Sequence, residues 1–170
     1  MKEWDFRYDL LPLKNKLFRL ALRITLNKVE AEDITQDVLI KVWSKREELS
    51  KVENLESYCL TTCRNLALDR KERKDSQNIS LEDQGIDAFD EAGTPHDDIV
   101  YVESRKIIAE LFAKLPEKQR TVMQLRDVES KSYAEIAKIM AITEAQVKVS
   151  LFRARQKIKQ EFEKINRYGL

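Results

Sequence analysis

Ser132 to Arg155 reads SYAEIAKIMAITEAQVKVSLFRAR, and this stretch decides the fold of the C-terminal part of the chain. Ser132 with Glu135 spells S-x-x-E, and Thr143 with Gln146 spells T-x-x-Q. Each pair is a capping box, in which two side chains satisfy backbone N–H groups left free at a helix start. Two helix starts this close force a corner between two short helices. Ile136, Ala137 and Met140 on the first helix, and Val147, Leu151, Ala154 and Ile158 on the second, recur at three- and four-residue steps, which predicts that they face each other. Gln146, Lys148, Ser150, Phe152, Arg153 and Arg155 are then predicted to point outward. This polar, cationic set suits base edges and phosphates in a DNA major groove, the pattern of a helix-turn-helix. The competing reading is a helical hairpin whose cations are merely solvated.

Working outward, Pro116 restarts a helix after Leu115 and carries Val122, Met123 and Leu125, a third wall around the corner. Before it, Thr94 and Pro95 read as a cap and first helical residue, with Tyr101, Ile108, Leu111 and Leu115 sharing a face. The N-terminal part reads as four helices: a short amphipathic piece and three longer segments. Pro12 opens a segment with Leu13, Leu17, Leu20, Ala21 and Ile24 on one side. AEDITQDVLIKVWSK places Ile34, Val38 and Val42 at four-residue steps. Lys51 to Asn54 read as a loop, after which Leu55, Cys59, Thr62 and Leu66 mark the inner face of a long helix ending in DRKERK. On that helix Asn65, Asp69 and Arg73 line up along one side, with Arg64, Arg70, Lys71 and Lys74 around them. A cationic helix end also complements the helix dipole, and the charge alone does not separate that role from ligand binding.

The formal net charge of +1 conceals a division along the chain. Residues 1–74 hold 16 Lys/Arg against 13 Asp/Glu, residues 75–98 hold 8 acids and no base, and residues 99–170 hold 15 bases against 9 acids. The middle stretch, DSQNISLEDQGIDAFDEAGTPHDD, contains two of the three glycines and no apolar periodicity, so it reads as a flexible acidic linker. Its acidity suits either solubility or imitation of a nucleic acid in a basic channel. Three glycines and three prolines are too few for a turn-rich all-β fold, and no strand pattern appears. The expectation is an all-α protein of two small helical bundles, residues 1–74 and 99–170, joined by that linker at 75–98.

Several function classes are excluded by what the sequence lacks. It has no glycine-rich phosphate loop, no H-E-x-x-H and no nucleophile elbow, and the one histidine, His96, lies in the linker. An enzyme is therefore not expected, nor a cofactor. Cys59 and Cys63, four apart with no further cysteine, read as small buried hydrophobes rather than metal ligands or a disulfide. No apolar run is long enough to span a bilayer, and MKEWDFRYDL lacks the layout of a signal peptide, which predicts a cytoplasmic protein without membrane insertion.

Two motifs carry a family resemblance. LPEKQRTVMQLRDVESKSYAEIAKIMAITEAQVKVSLFRARQKI resembles the promoter-reading C-terminal domain of extracytoplasmic-function sigma factors, and AEDITQDVLIKVWSK followed by NLESYCLTTCRNLALDRKERK resembles their N-terminal domain. The order matches, and the likeness covers nearly the whole chain. It implies an alternative sigma factor that binds core RNA polymerase through its β′ clamp and β subunit, promoter DNA, and an anti-sigma factor. Residue by residue, it assigns Asp33, Gln36, Asp37, Ile40 and Lys41 to the clamp. It assigns Lys51, Asn54, Arg64, Asn65, Asp69 and Arg73 to reading and melting the minus-ten element. Ser132, Tyr133, Lys148, Ser150, Phe152 and Arg153, with Gln146 from the outward face, go to the minus-thirty-five element. The linker is similar to the family's acidic connector, which threads the polymerase's RNA channel. In the turn, Ala141 stands where the family usually has Gly, so a left-handed residue there costs energy or the turn takes another shape. A helix-turn-helix output domain of a response regulator also ends in a T-E-x-x-V-K-V helix, but it would follow an α/β receiver domain.

Overall fold

The computed structural model describes residues 3–76 and 99–167, with backbone only for 99–102. The chain separates into two compact units, Met1–Gln84 and Gly85–Leu170. Every regular element among the described residues is helical: α1 (Lys14–Thr25), α2 (Lys28–Ser44), α3 (Leu55–Ser76), α4 (Ile99–Ala113), α5 (Glu117–Met123), α6 (Tyr133–Met140) and α7 (Glu144–Arg167). The all-α expectation holds, and the strands of a receiver domain do not occur in the described part of the first unit. Asp75 and Ser76, expected in the linker, end α3, while residues 77–98, with the rest of the expected linker, the Thr94-Pro95 cap and His96, lie outside the described residues, as does the Tyr101 side chain.

In the first unit α1 packs against both α2 and α3. Leu17, Leu20, Ala21 and Ile24 are buried as their spacing predicts, but Pro12 opens a 3-10 turn, Leu11–Leu13, rather than the α-helix itself. α1 ends where Leu26 turns left-handed at φ 55°, its N–H donating to the Leu22 carbonyl at 2.8 Å. Asn27 then caps α2 by accepting from the Glu30 N–H at 3.0 Å. Ile34, Val38 and Val42 are buried on α2. On α3 the inner stripe differs from the expected one. Leu55 and Cys59 are buried with Leu60, Cys63 and Ala67, whereas Thr62 and Leu66 are half-buried. A helix wedged against two neighbours buries a wider stripe than a single four-residue track, and Thr62 at its margin satisfies its hydroxyl on the Tyr58 carbonyl at 3.0 Å. The N-terminal piece folds back on this bundle, with Trp4 Nε1 donating to the Leu49 carbonyl at 2.8 Å and Phe6 edge-on to Trp43 at 5.5 Å.

The second unit is built around α7, which packs against α4, α5 and α6. Phe112, Leu115 and Ala154 form a cluster closed by Met123 and Ile158. On α4 the inward face is Ala109, Leu111 and Phe112; Ile108, expected inside, is 49% exposed. Ile108 lies one turn before Leu111 and Phe112 and so on their face, yet it stays open to solvent. Pro116 interrupts the chain as predicted, and the buried Arg120 fills the break by donating from Nη1 to the Leu115 carbonyl at 2.7 Å. Beyond the core, Glu161 accepts from Lys114 at 3.0 Å, Lys157 at 3.1 Å and Lys164 at 3.3 Å. These lysines, Lys114 first, pull its carboxyl down to about 2. A depressed carboxyl stabilises the fold above its unfolded value and loses that contribution as pH falls. The wild type is therefore expected to lose stability between pH 4.5 and about 2, and Glu161→Gln should flatten that loss in acid unfolding followed by circular dichroism. An unchanged acid transition would mean that the three lysines leave the carboxyl untuned.

Both capping boxes form. Ser132 Oγ accepts from the Glu135 N–H at 3.1 Å while Glu135 Oε1 accepts from the Ser132 N–H at 3.4 Å. Thr143 Oγ1 accepts from the Gln146 N–H at 3.1 Å, and Gln146 Oε1 from the Thr143 N–H at 2.9 Å. Between them Ala141 adopts φ 54°, ψ 46°, and the Ile142 N–H closes onto the Ala137 carbonyl at 3.0 Å. The turn therefore keeps the left-handed residue despite its Cβ. Ile136, Met140, Val147, Leu151 and Ala154 are buried as expected, with Ile139 added and Ala137 half-buried. Ala141→Gly should stabilise this unit by about 1 kcal/mol, because glycine removes the steric cost of the left-handed backbone. The check is a thermal melt, where a rise of roughly 4–8 °C for a unit of this size is expected.

Candidate functional site

The second helix of the corner, α7, presents Gln146, Lys148, Phe152, Arg153 and Arg155 to solvent. Phe152 is 67% exposed, a large aromatic ring with no core to fill. Ser150 is the correction. It is buried at 8% exposure, because it lies three residues after Val147 and four before Ala154, on the same stripe that packs inward. Its neighbour Val149 is half-exposed instead.

At the start of α6, Tyr133 lies between two cations, the Arg126 guanidinium 4.7 Å and the Lys148 ammonium 5.6 Å from its ring centroid. Arg126 is itself held by a bond from Nη1 to the Lys131 carbonyl at 2.8 Å. Tyr133, Lys148, Leu151, Phe152, Arg155 and Lys159 line one open groove along α7. Arg155 is tied down in that groove by Asp127, with Nε donating to Oδ2 at 3.2 Å. The Asp127 contact, against a smaller opposing effect of burial, raises the already high pKa of Arg155. Aromatic faces interleaved with fixed cations suit base edges and a phosphate backbone at once. Arg126, Asp127 and Lys159 had no motif to mark them in the sequence; Lys159 lines the groove from α7 itself, while Arg126 and Asp127 reach the groove residues Tyr133 and Arg155 only because the turn after α5 is brought against them.

The first unit holds two further surfaces. On α2, Asp33, Gln36, Ile40 and Lys41 are exposed and Asp37 half-exposed, so the five share its outer side. Ile40, at 66% exposure, is an apolar residue with no partner in the core. On α3, Asn65, Asp69 and Arg73 are exposed along one side, Asp69 pairing with Arg73 at 3.1 Å and Arg64 Nη1 donating to Asn65 Oδ1 at 3.3 Å. Lys51 closes the 3-10 turn Glu48–Lys51, and Asn54 caps α3 by accepting from the Ser57 N–H at 3.0 Å. Asn54 and Arg73 thus stand at opposite ends of a helix track about 28 Å long at 1.5 Å per residue.

Arg70 joins the two surfaces. Its guanidinium donates to Asp33, to Asp37 and, at 3.3 Å, to Glu30, while Lys74 reaches the same Glu30 at 2.8 Å. Partial burial works against the Arg70 charge, and the hydrogen bonds to Asp33 and Glu30 more than offset it, so its pKa moves up. Glu30 is held below the usual carboxylate range, chiefly by Lys74.

Other chemistry finds little support. Among the described residues no group of three or more His, Cys, Asp or Glu is placed to hold a metal ion. Cys59 and Cys63 are buried thiols, each pushed up to about 12 by burial, and so poor nucleophiles. No described helix is long and apolar enough to cross a membrane.

Comparison with known proteins agrees with the two-part layout. Residues 12–77 match the family described as Sigma-70 region 2, and residues 105–158 match Sigma-70, region 4. The chain is 26% identical over 156 residues to the ECF RNA polymerase sigma factor SigW of Bacillus subtilis, covering 87% of this chain and 83% of that protein. It is 29% identical over 143 residues to the ECF RNA polymerase sigma factor SigL of Mycobacterium tuberculosis, covering 81% and 77%. Among solved structures, the sigma factor RpoE of Bartonella quintana, crystallised with the anti-sigma factor NepR, superposes with a TM-score of 0.75 at 22% identity, over 94% of this chain and 97% of that one. With a region 2 unit of three packed helices, a region 4 unit built on a capped helix-turn-helix, and relatives matched over most of their length, the chain belongs to the sigma-70 family as an extracytoplasmic-function sigma factor, a transcription initiation factor.

Proposed function

We propose that this factor docks on core RNA polymerase, at the β′ clamp, through the outer side of α2, with Asp33, Gln36, Asp37, Ile40 and Lys41 as the contact residues, and also engages the β subunit. Lys51, Asn54, Arg64, Asn65, Asp69 and Arg73 engage the minus-ten element. Ser132, Tyr133, Gln146, Lys148, Phe152 and Arg153 engage the minus-thirty-five element; the buried Ser150 is left out. The observation that carries this reading is the exposed Phe152 beside Lys148 and Arg153 on a helix whose opposite side is fully packed. Strand opening requires no catalyst on this reading, since a base held outside the duplex repays a few kcal/mol of lost pairing and stacking through its pocket. The protein is therefore a binding factor rather than an enzyme, and it works in the cytoplasm. The division into residues 1–74, an acidic linker at 75–98 and residues 99–170 belongs to the same proposal, with the linker in the RNA channel. An anti-sigma factor is the further partner, by analogy with the RpoE–NepR complex.

Transcription from genomic DNA by core polymerase with and without the protein tests this reading. New start sites sharing two spaced sequence elements are expected, and an unchanged set of starts would overturn it. On the recognition helix, Arg153→Ala should weaken holoenzyme binding to all minus-thirty-five variants about equally. It should also lower the slope of log affinity against log salt by about 0.9, the value for one phosphate contact on duplex DNA. A change in sequence preference instead would make Arg153 a base reader.

A further inference from the structure

We infer that Arg70 is a positioning residue that couples polymerase docking to the DNA affinity of α3: the α2 carboxylates hold it in the free protein, and docking releases it toward the phosphates of the opened strand. The inference rests on the docking face proposed above. Asp33 and Asp37, assigned to the polymerase, are the residues that bind Arg70 from α2. Their side chains are 58% and 47% exposed, so a cationic partner reaches them from outside, while the Arg70 side chain is only 25% exposed beneath them. A carboxylate taken by a partner's cation is lost to Arg70 in proportion, since both compete for the same oxygen lone pairs. Glu30 is then the remaining acid, and it is already shared with Lys74. Arg70 stands three residues before Arg73 on α3, where side chains are neighbours, so a guanidinium freed from α2 needs only a change of rotamer to join the Asp69–Arg73 side of the helix. Polymerase binding and strand binding thereby reinforce each other, as two ligands of one linked equilibrium must.

The test uses the full chain without polymerase and a short labelled single-stranded DNA of mixed sequence, read by fluorescence anisotropy at several salt concentrations. Asp33→Asn with Asp37→Asn imitates loss of the two carboxylates while keeping similar shape. This pair should bind several-fold more tightly than wild type and steepen the salt dependence by about 0.7, the value for one phosphate on a single strand. Adding Arg70→Gln should return both quantities to the wild-type values, while adding Arg70→Lys should keep part of the gain. Glu32→Gln with Glu48→Gln changes the charge equally at acids that are not partners of Arg70, and should leave binding as it is. Helical circular dichroism accompanies each variant. No gain in the Asn pair, undetectable binding by both proteins included, overturns the inference. So does a gain that survives Arg70→Gln or appears equally in the Glu32/Glu48 pair. Co-purification of the wild-type protein with core polymerase tests the docking face alone, so failure there is distinguishable from failure of the Arg70 coupling.

Discussion

Leu151→Ala should destabilise the second unit by about 2–5 kcal/mol, the usual cost of emptying a packed leucine site. Leu151 is 2% exposed on the inner side of α7. The adjacent Phe152→Ala should change stability by no more than about 0.5 kcal/mol, since a 67% exposed side chain leaves no cavity. Function should divide the other way. If Phe152 reaches thymine methyls or base faces, its truncation should relax the preferred minus-thirty-five sequence at about 1–3 kcal/mol per contacted base pair. At a temperature where Leu151→Ala remains folded, it should lower promoter binding without altering which sequence is preferred. Urea unfolding and holoenzyme binding to a randomised minus-thirty-five library measure the two effects. A Phe152→Ala protein with unchanged preference would show that this side of α7 does not enter the groove.

Asp37→Lys should weaken association with core polymerase by about 2–5 kcal/mol, the range for disrupting a charge pair desolvated at an interface. Within the free protein the same change breaks a partly exposed contact to Arg70 and places a second cation beside it. Such surface pairs contribute about 0–1 kcal/mol, so helical content should persist and the melting temperature should move little. The gap between those magnitudes separates loss of an interface from loss of a fold. Co-purification from an extract and a parallel circular-dichroism melt give both numbers, and undiminished co-purification would remove the outer side of α2 from the interface.

The corner of the second unit was legible in the sequence because its signals are local. A capping box needs residues three apart, and Ser132–Glu135 and Thr143–Gln146 both form as written. The inner positions Val147, Leu151 and Ala154 follow from helical period alone. Errors arose where burial depends on how many neighbours a helix has. Thr62 and Leu66 fell at the margins of their stripe, Ile108 stays exposed although it lies on the inner face of α4, and Ser150 turned inward because four-residue geometry places it with Ala154, whatever its polarity.

The sequence by itself determined the all-α class, the starts of α6 and α7, the turn between them and the outward cations of α7, since each is set by residues within one or two helical turns. Tertiary structure alone decided which charges meet. Arg70 is separated from Asp33 by 37 positions and from Asp37 by 33, and Arg155 from Asp127 by 28. No local pattern encodes such pairs, because helix packing angles set them. The same packing placed Arg126 over Tyr133 and kept Ala141 in a left-handed turn, where the closing bond from Ile142 and the buried corner outweigh the steric cost of its Cβ.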